Sequence, residues 1–469
     1  MTKYRPNRRE FLLGSLATGV GLGSLGGLNP LMRLARAADG TDGNGDQRYY
    51  IFCYFPGGWD VLLSLDPRDP TLFTEDNKNE TRILPGYERL DTTDLTVPVY
   101  NKYLMNGQWH GLGAYLGEMG TEDKYRSQMS IVRGINMETL SHDTGRRRFS
   151  TGKPPAGVQA RGSSAATWLA SQFGEQNLIP NLSVRVESFN QDQPTYASAM
   201  GFSSVSDMLQ ALRPNDPLLN ANVQLQVDEL IAHAAHCETG LRSKFVQNAH
   251  ESRMKAIEMV ASGLESKFDF LAQTDEMDKL RDRFGFARNT NGLNSSQARA
   301  ALAARAITSG VSRSVSVAIA GGGLDTHDDN WETNQGPNQR EGFNSIARII
   351  DELSETPHPD GKSSWMDHTN IVAFSEFSRT PMLNLRGGRD HWLMNACMVL
   401  GADVKGGQII GASSDEGMEP VACNLGTGQT ELGGTVLKPE HVIQTLFHGA
   451  GITDDPADLR CEAIDALLK

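Results

Sequence analysis

The sequence predicts an α/β fold with a large, mostly parallel sheet that is covered by helices on both faces. Short apolar runs without polar alternation, typical of strands buried on both faces, lie at residues 48–55, 315–320 and 371–374. Segments with helical periodicity lie between or after them, and the clearest are residues 335–353 and about 391–400. Strands that alternate with helices usually form a parallel sheet.

The first residues of the chain predict an export signal. Basic residues come first, an apolar stretch at residues 11–28 follows, and a small-x-small site precedes Ala38, which is the order of regions in a signal peptide. The pair Arg8-Arg9 indicates the twin-arginine route. A general secretory signal and an uncleaved membrane anchor are the alternatives. We therefore expect residues 1–37 to direct export through the twin-arginine translocase, and the mature protein to be periplasmic or extracellular.

The overall charge and composition exclude several classes of protein. The chain of 469 residues has a formal net charge of −13, so its surface field does not favour binding to nucleic acid. No later apolar run is long enough to cross a bilayer, and we expect no stable membrane span. The five cysteines include no Cys-x-x-Cys pair, and their spacing predicts neither a metal site nor a redox motif.

Two stretches interrupt the alternation of strands and helices. After a polar linker at residues 38–47, we predict a single domain over residues 48–469. Residues 66–110 are rich in Asp, Pro, Asn and Thr and predict a long inserted loop, of the kind that commonly walls a binding site. Residues 224–285 are charged, lack Pro and contain few Gly, which predicts an inserted helical hairpin.

Acidic residues and histidines follow strand-like runs in four places. Open α/β sheets bind ligands at the carboxyl ends of their strands, so these groups are expected at one edge of the sheet. Carboxylates and imidazoles together suit a divalent metal ion. The four clusters are Gly57-Gly58-Trp59-Asp60, Leu324-Asp325-Thr326-His327-Asp328, Phe374-Ser375-Glu376-Phe377 and Gly388-Arg389-Asp390-His391-Trp392.

Each cluster also has a purely structural interpretation. Asp60 is then a turn residue after two glycines, and Asp325 belongs to an Asx-turn. Glu376 is a solvated strand end, and Asp390 is the N-cap of a helix that begins at the next residue. A fifth cluster, at residues 141–148, contains three consecutive arginines. They form either a solvated helix face or a clamp for an anion, because guanidinium groups bind phosphate and sulfate in a bidentate manner.

These same clusters carry a resemblance to a known family. Its members are exported bacterial proteins catalogued as domain of unknown function 1501, which is placed with the alkaline phosphatase and sulfatase superfamily. The resemblance implies an alkaline phosphatase-like fold with metal ligands at the strand ends. The similar strings are Phe-Pro-Gly-Gly-Trp-Asp, Leu-Asp-Thr-His-Asp, Ser-Glu-Phe-Ser-Arg-Thr-Pro, Gly-Arg-Asp-His-Trp and Val-Lys-Gly-Gly-Gln-Ile-Ile-Gly.

The resemblance also implies a set of ligands for a divalent ion, which would be zinc, calcium or manganese. In the superfamily, an aspartate follows the first strand. One ligand pair of an Asp and a His follows a later strand, a second pair, an Asp directly followed by a His, follows another, and a late histidine completes the site. Phe377 stands where the Asp-His pair has its histidine. The matching residues of this chain, with Asp390 as a ligand or a supporting group, are Asp60, Asp325, His327, Glu376, Asp390 and His391.

The position of the nucleophile differs from the superfamily pattern. There, a Ser, Thr or Cys opens a helix that reaches Thr-Gly about ten residues later, and counting back from Gly152 leads to His142. His142 would act as a base, a nucleophile or a ligand. Arg146 lies where sulfatases have an arginine, which implies that it orients the anion.

We therefore predict a metal-dependent hydrolase whose substrate is a small or polymeric ester of phosphate or sulfate. His142 and Phe377, at positions where the superfamily has other residues, favour an alternative, an exported binding or assembly protein without turnover. The export route alone would suggest a redox enzyme, but the sequence lacks a cysteine cluster and a convincing dinucleotide-binding glycine motif.

Overall fold

A computed structural model describes residues 48–154, 156, 159–213 and 220–469. The predicted signal at residues 1–37 and the linker at residues 38–47 lie outside the described residues. Within these ranges the strands are β1 (Tyr49–Tyr54), β2 (Tyr100–Met105), β3 (Gln108–Gly113), β4 (Met129–Asn136), β5 (Asn181–Val184), β6 (Met200–Phe202), β7 (Ser314–Ala318), β8 (Thr369–Phe374), β9 (Ser378–Arg379), β10 (His391–Trp392), β11 (Met394–Gly401), β12 (Ile409–Ile410), β13 (Ala412–Ser413) and β14 (Pro420–Val421).

Helices connect and cover these strands. Within the same ranges they are α1 (Lys78–Thr81), α2 (Glu118–Thr121), α3 (Asp123–Arg126), α4 (His142–Thr151), α5 (Ala165–Phe173), α6 (Val205–Leu212), α7 (Ala221–His236), α8 (Glu238–Arg242), α9 (Lys244–Ala261), α10 (Leu264–Phe268), α11 (Asp275–Phe284), α12 (Thr290–Leu293), α13 (Ser296–Thr308), α14 (Trp331–Glu355) and α15 (Pro439–Gly449). None of these helices has both the length and the apolar character needed to cross a membrane.

One sheet of eight strands organises the described part of the chain, in the order β12-β4-β11-β8-β1-β7-β5-β6. Strand β11 runs antiparallel to its neighbours β4 and β8, and the other neighbouring pairs are parallel. This arrangement confirms the predicted α/β class with a large, mostly parallel sheet.

Both faces of the central strand β1 are buried. Ile51 and Cys53 face a core that contains residues of α13 and α14, such as Leu302 and Ile346. The alternate residues of β1 face a second core, formed with residues of α4, α5 and α15. Side chains alternate between the faces of a strand, so an unbroken apolar run places apolar groups in both layers.

The prediction of a helix at about residues 391–400 is wrong. These residues form β10 and β11, and β11 lies in the middle of the sheet with every residue before Gly401 buried. An apolar segment of this length suits a buried strand or a buried helix, and here pairing with β4 and β8 decides the outcome. Asp390 is therefore not the N-cap of a helix.

Residues 66–110 and 224–285 lie outside the alternation of the central sheet. The first stretch contains α1, and its end belongs to the hairpin of β2 and β3. The second lies within a series of helices, in which α7 and α9 are joined by a hydrogen bond of 2.7 Å from Gln247 Nε2 to the carbonyl oxygen of Ala235. All five cysteines lie in the described ranges, and none forms a disulfide there.

Candidate metal centre

Four chain segments deliver polar side chains to one edge of the central sheet. Asp325 follows β7, Glu376 follows β8, and His142 begins α4 after β4. These three strands are parallel, so their carboxyl ends share that edge. His391 precedes β11, and it reaches the same edge because β11 runs in the opposite direction.

Three imidazoles surround one carboxylate oxygen. Oδ1 of Asp325 lies 3.5 Å from Nε2 of His142 and 3.1 Å from Nε2 of His327. It lies 3.7 Å from Nε2 of His391, and the Nε2 atoms of His327 and His391 are 3.0 Å apart. A tetrahedral zinc site with bonds of about 2.0–2.1 Å separates its ligand atoms by roughly 3.3 Å. Ligand atoms of His142, Asp325 and His391 all lie within 4.8 Å of one another, as one ion requires, and His327 lies beside this group.

The other nitrogen of each imidazole contacts an acceptor. Nδ1 of His142 lies 2.7 Å from Glu376 Oε1, and Nδ1 of His327 lies 2.6 Å from Asp390 Oδ1. Nδ1 of His391 lies 2.6 Å from the carbonyl oxygen of Leu140. When Nδ1 donates its proton to such an acceptor, Nε2 keeps a lone pair that can bind a metal. All three lone pairs then face Asp325.

Nε2 of His142 is an unsatisfied polar atom. It is buried, and among the described residues it has no hydrogen-bond partner. A buried polar atom without a partner costs free energy, so its presence calls for a compensating interaction. A metal ion between His142 and Asp325 would supply that interaction, so the residues present fit a bound ion.

Glu376 contacts His142 and is almost completely buried, since only 1% of its side chain is exposed. Its carboxylate accepts hydrogen bonds from the Tyr54 hydroxyl at 3.0 Å, the Ser375 hydroxyl at 2.9 Å and the backbone N–H of Gly57 at 2.9 Å. Burial opposes ionisation, but the hydrogen bond with His142 and further donors outweigh it and lower the pKa of Glu376. Burial likewise opposes the imidazolium of His142, yet Glu376 raises the pKa of His142 above its ordinary value.

Arg379 adds a buried positive charge that the sequence analysis did not select. Its Nη2 lies 2.7 Å from Asp325 Oδ1, its Nη1 lies 3.4 Å from Nε2 of His327, and its side chain is fully buried. Burial disfavours the charged form of Asp325, but the hydrogen bond and charge of Arg379 outweigh burial and lower the pKa of Asp325. Arg379 belongs to the string Ser-Glu-Phe-Ser-Arg-Thr-Pro, which is one of the strings similar to the family, so the family resemblance could have identified it.

Asp60 lies in a different environment from the one predicted. Its Oδ2 lies 3.0 Å from Nε of Arg389 and accepts a hydrogen bond of 2.8 Å from Nε1 of Trp331. Its Oδ1 accepts a hydrogen bond from the backbone N–H of Leu62. Both carboxylate oxygens are thus directed at protein donors. The structure brings together Asp325, His327, His391 and His142, with Glu376 and Asp390 behind them, but it does not bring Asp60 into this group.

Arg146 is also engaged by carboxylates. Its Nη2 lies 2.8 Å from Asp143 Oδ1 and 3.2 Å from Glu187 Oε2. These two groups offset the charge that an anion clamp would use.

Two glycines allow the segments to approach one another. Gly57 has a φ of +112°, and a Cβ atom there would lie 2.8 Å from the backbone nitrogen of Asp325. A Cβ atom at Gly145, in the first turns of α4, would collide with the carbonyl oxygen of Glu376. The missing side chains let the turn after β1 and the start of α4 pack directly against the segments that carry Asp325 and Glu376.

A family model described as "Protein of unknown function (DUF1501)" matches residues 50–442. The chain belongs to this family. The region matched by the DUF1501 model includes every residue of the centre. No curated protein matches the chain.

Two solved structures resemble this DUF1501 protein distantly. One is Ps i-CgsB in complex with k-i-k-neocarrahexaose, at 9% identity and a TM-score of 0.32, covering 89% of this chain and 75% of that one. The other is BT4656 in complex with its substrate D-glucosamine-2-N,6-O-disulfate, at 9% identity and a TM-score of 0.30, covering 90% of this chain and 79% of that one. At these TM-scores, neither resemblance bears on the chemistry of this chain.

Proposed function

We propose that this protein is an exported, metal-dependent hydrolase of phosphate or sulfate esters. The observation that supports the proposal is the convergence of three imidazole Nε2 atoms on Oδ1 of Asp325. The proposed ligands are His142, Asp325 and His391, and Nε2 of His327 lies beside them, 3.1 Å from Asp325 Oδ1. This set differs from the sequence prediction, because Glu376 and Asp390 hold histidines and Asp60 pairs with arginine.

The donor set favours a transition metal ion over calcium. Two imidazole nitrogen atoms and one carboxylate oxygen suit zinc, and manganese is the next choice, whereas calcium prefers oxygen ligands. A divalent ion bound there would supply a Lewis acid and would lower the pKa of a bound water molecule.

The residues around the proposed ligands hold them in forms that bind a cation. The guanidinium group of Arg379 donates a hydrogen bond of 2.7 Å to Asp325 and keeps its carboxylate ionised. Glu376 and Asp390 fix the tautomers of His142 and His327. Because His142 is assigned as a ligand, the proposal includes no covalent intermediate on the enzyme.

A binding protein without turnover is the second candidate. Phe377 is fully buried, and its ring centroid lies 4.2 Å from that of His391 and 4.8 Å from that of His142. It closes one side of the centre with an apolar ring, where the resemblance implies a further metal ligand. A protein with one ion and a closed site would bind an anion without cleaving it.

Elemental analysis of the purified protein, followed by assays with aryl phosphate, phosphodiester and aryl sulfate, tests the proposal. We expect a bound transition metal and turnover of at least one substrate, which a chelator abolishes and the metal restores. His142→Ala should lower both the metal content and turnover. His233→Ala is the matched control, since His233 is exposed on α7.

The outcomes separate the candidates. Metal that is lost in His142→Ala, without turnover on any of the three substrates, favours the binding protein. Folded protein that binds no zinc or manganese after reloading overturns both the ligand set and the hydrolase. Turnover that is indifferent to His142→Ala removes the role of His142.

A further inference from the structure

A second group of metal-binding side chains lies at the opposite edge of the sheet. His358 and Asp360 lie in the segment after α14, and His368 ends a short 3-10 helix, Trp365–His368, directly before β8. Strand β8 has six residues, so it is roughly 20 Å long. Glu376 and the candidate metal centre follow its other end, and one ion cannot serve both groups.

The three side chains have the spacing of ligands around one ion. Oδ2 of Asp360 lies 3.4 Å from Nδ1 of His358 and 3.3 Å from Nε2 of His368. Ligands about 2.0–2.1 Å from a tetrahedral ion are separated by roughly 3.3 Å. The two imidazole rings are stacked with centroids 3.9 Å apart, and one ligand atom from each of the three residues lies within 4.8 Å of the others.

Contacts within the protein leave His358 incompletely satisfied. The backbone N–H of Asp360 points at Nδ1 of His358 at 3.3 Å, so Nδ1 carries a lone pair and the ring proton lies on Nε2. That Nε2 atom is buried and has no hydrogen-bond partner among the described residues, and the side chain is only 5% exposed. The nitrogen of His358 that faces Asp360 is therefore Nδ1, which carries no proton and can bind an ion.

The Ser363 hydroxyl holds Asp360 beside His368. It donates a hydrogen bond of 2.6 Å to Asp360 Oδ2, and its oxygen lies 2.7 Å from His368 Nε2. These contacts keep the carboxylate and the imidazole nitrogen close enough for one ion to bind both.

We propose that His358, Asp360 and His368 form a second metal site, which binds zinc or a similar transition ion and joins the segment after α14 to the start of β8. Two imidazoles and one carboxylate suit zinc. Asp360 is partly exposed, so an ion can enter from solvent. The site has a structural role and does not depend on the proposed hydrolase activity.

Anomalous X-ray scattering at the zinc edge tests this site directly. Crystals of the full chain, stripped with a chelator and reloaded with zinc, should show a peak bonded to His358 Nδ1, Asp360 Oδ2 and His368 Nε2. Absence of a peak at saturating zinc overturns the proposal. A peak at the candidate metal centre reports on the other proposal separately.

Metal counting in solution provides a second test. Zinc per chain should fall by one equivalent in Asp360→Ala and in His368→Gln, and zinc should raise the Tm of these variants less than that of the parent protein. Asp282→Asn, an exposed carboxylate on α11, is the control. If Asp360→Ala and His368→Gln both fold and retain the full zinc content, the site is not formed by these residues.

Discussion

Asp60 and Arg389 form a completely buried ion pair, in which Oδ2 of Asp60 lies 3.0 Å from Nε of Arg389. Arg389 also donates hydrogen bonds of 2.8 Å and 2.7 Å to the carbonyl oxygens of Leu84 and Pro85. The pair therefore ties the turn after β1 to the segment before β10 and to the long insertion. An aspartate that the superfamily resemblance assigns to a metal has a structural partner here.

Asp60→Asn should destabilise the fold without removing metal. The substitution leaves the charge of Arg389 buried and uncompensated, and breaking a buried pair in this way typically costs about 3–5 kcal/mol. Denaturant unfolding measures the loss, and elemental analysis of the folded fraction measures the metal. Loss of one metal equivalent from folded Asp60→Asn would instead make Asp60 a ligand.

Glu376→Gln should weaken metal binding without abolishing it. The amide oxygen can still accept from Nδ1 of His142, but the negative charge that strengthens the imidazole as a donor is lost. Substitution of such supporting groups commonly lowers metal affinity about 10–100-fold. Competition with a chromophoric chelator gives the affinity, and Glu175→Gln, at an exposed position, is the control. An unchanged affinity would show that Glu376 does not act through His142.

Gly145→Ala should displace the start of α4. The new methyl group collides with the carbonyl oxygen of Glu376, so α4 must move and carry His142 with it. We expect lower metal affinity, while circular dichroism shows unchanged helix content. In Gly201→Ala the added methyl group meets no atom within 4 Å, and this variant serves as the control. Equal affinities in the two variants would contradict the close packing of α4 on the segment after β8.

The stability of the fold should depend on the ionisation of Asp66. Its Oδ1 lies 2.9 Å from Nη1 of Arg68 and 3.5 Å from Nε of Arg133. Burial opposes ionisation, but the two guanidinium groups outweigh it and lower the pKa of Asp66. The ionised carboxylate thus stabilises the fold above the unfolded pKa of about 3.9, and this contribution is lost as the pH falls through the folded pKa.

Thermal unfolding at neutral and acidic pH checks this dependence. Asp66→Asn should lower the Tm at pH 7, and the difference from the parent protein should shrink towards pH 3. Asp282→Asn should show no such change. A difference that stays constant between the two pH values would mean that Asp66 is not ionised in the fold.

The sequence predicts where the strands end better than it predicts which partners the side chains at those ends contact. Asp325 and Glu376 follow apolar runs that are recognisable as strands, and parallel strands bring such positions to one edge. Whether a carboxylate then faces a histidine or an arginine depends on turns that are set by distant contacts. Asp60 shows this, since Arg389 and Trp331 lie far from it in the sequence.

His391 lies in the centre because of the direction of β11, which the sequence pattern does not predict. The apolar pattern at about residues 391–400 predicts a helix, because an apolar run of this length fits a buried helix or a buried strand. Only its position between β4 and β8 makes it a strand, and only its reversed direction places the preceding residue at the edge that carries ligands. Arg379 was missed for a similar reason, because its contacts are made across the sheet edge.

Strands β8 and β11 are adjacent and antiparallel, so the connection at residues 375–393 leaves and re-enters the sheet on the same side. Glu376, Arg379, Asp390 and His391 all belong to this single loop between two neighbouring strands. A change in the length of that loop would therefore alter the positions of all four side chains together.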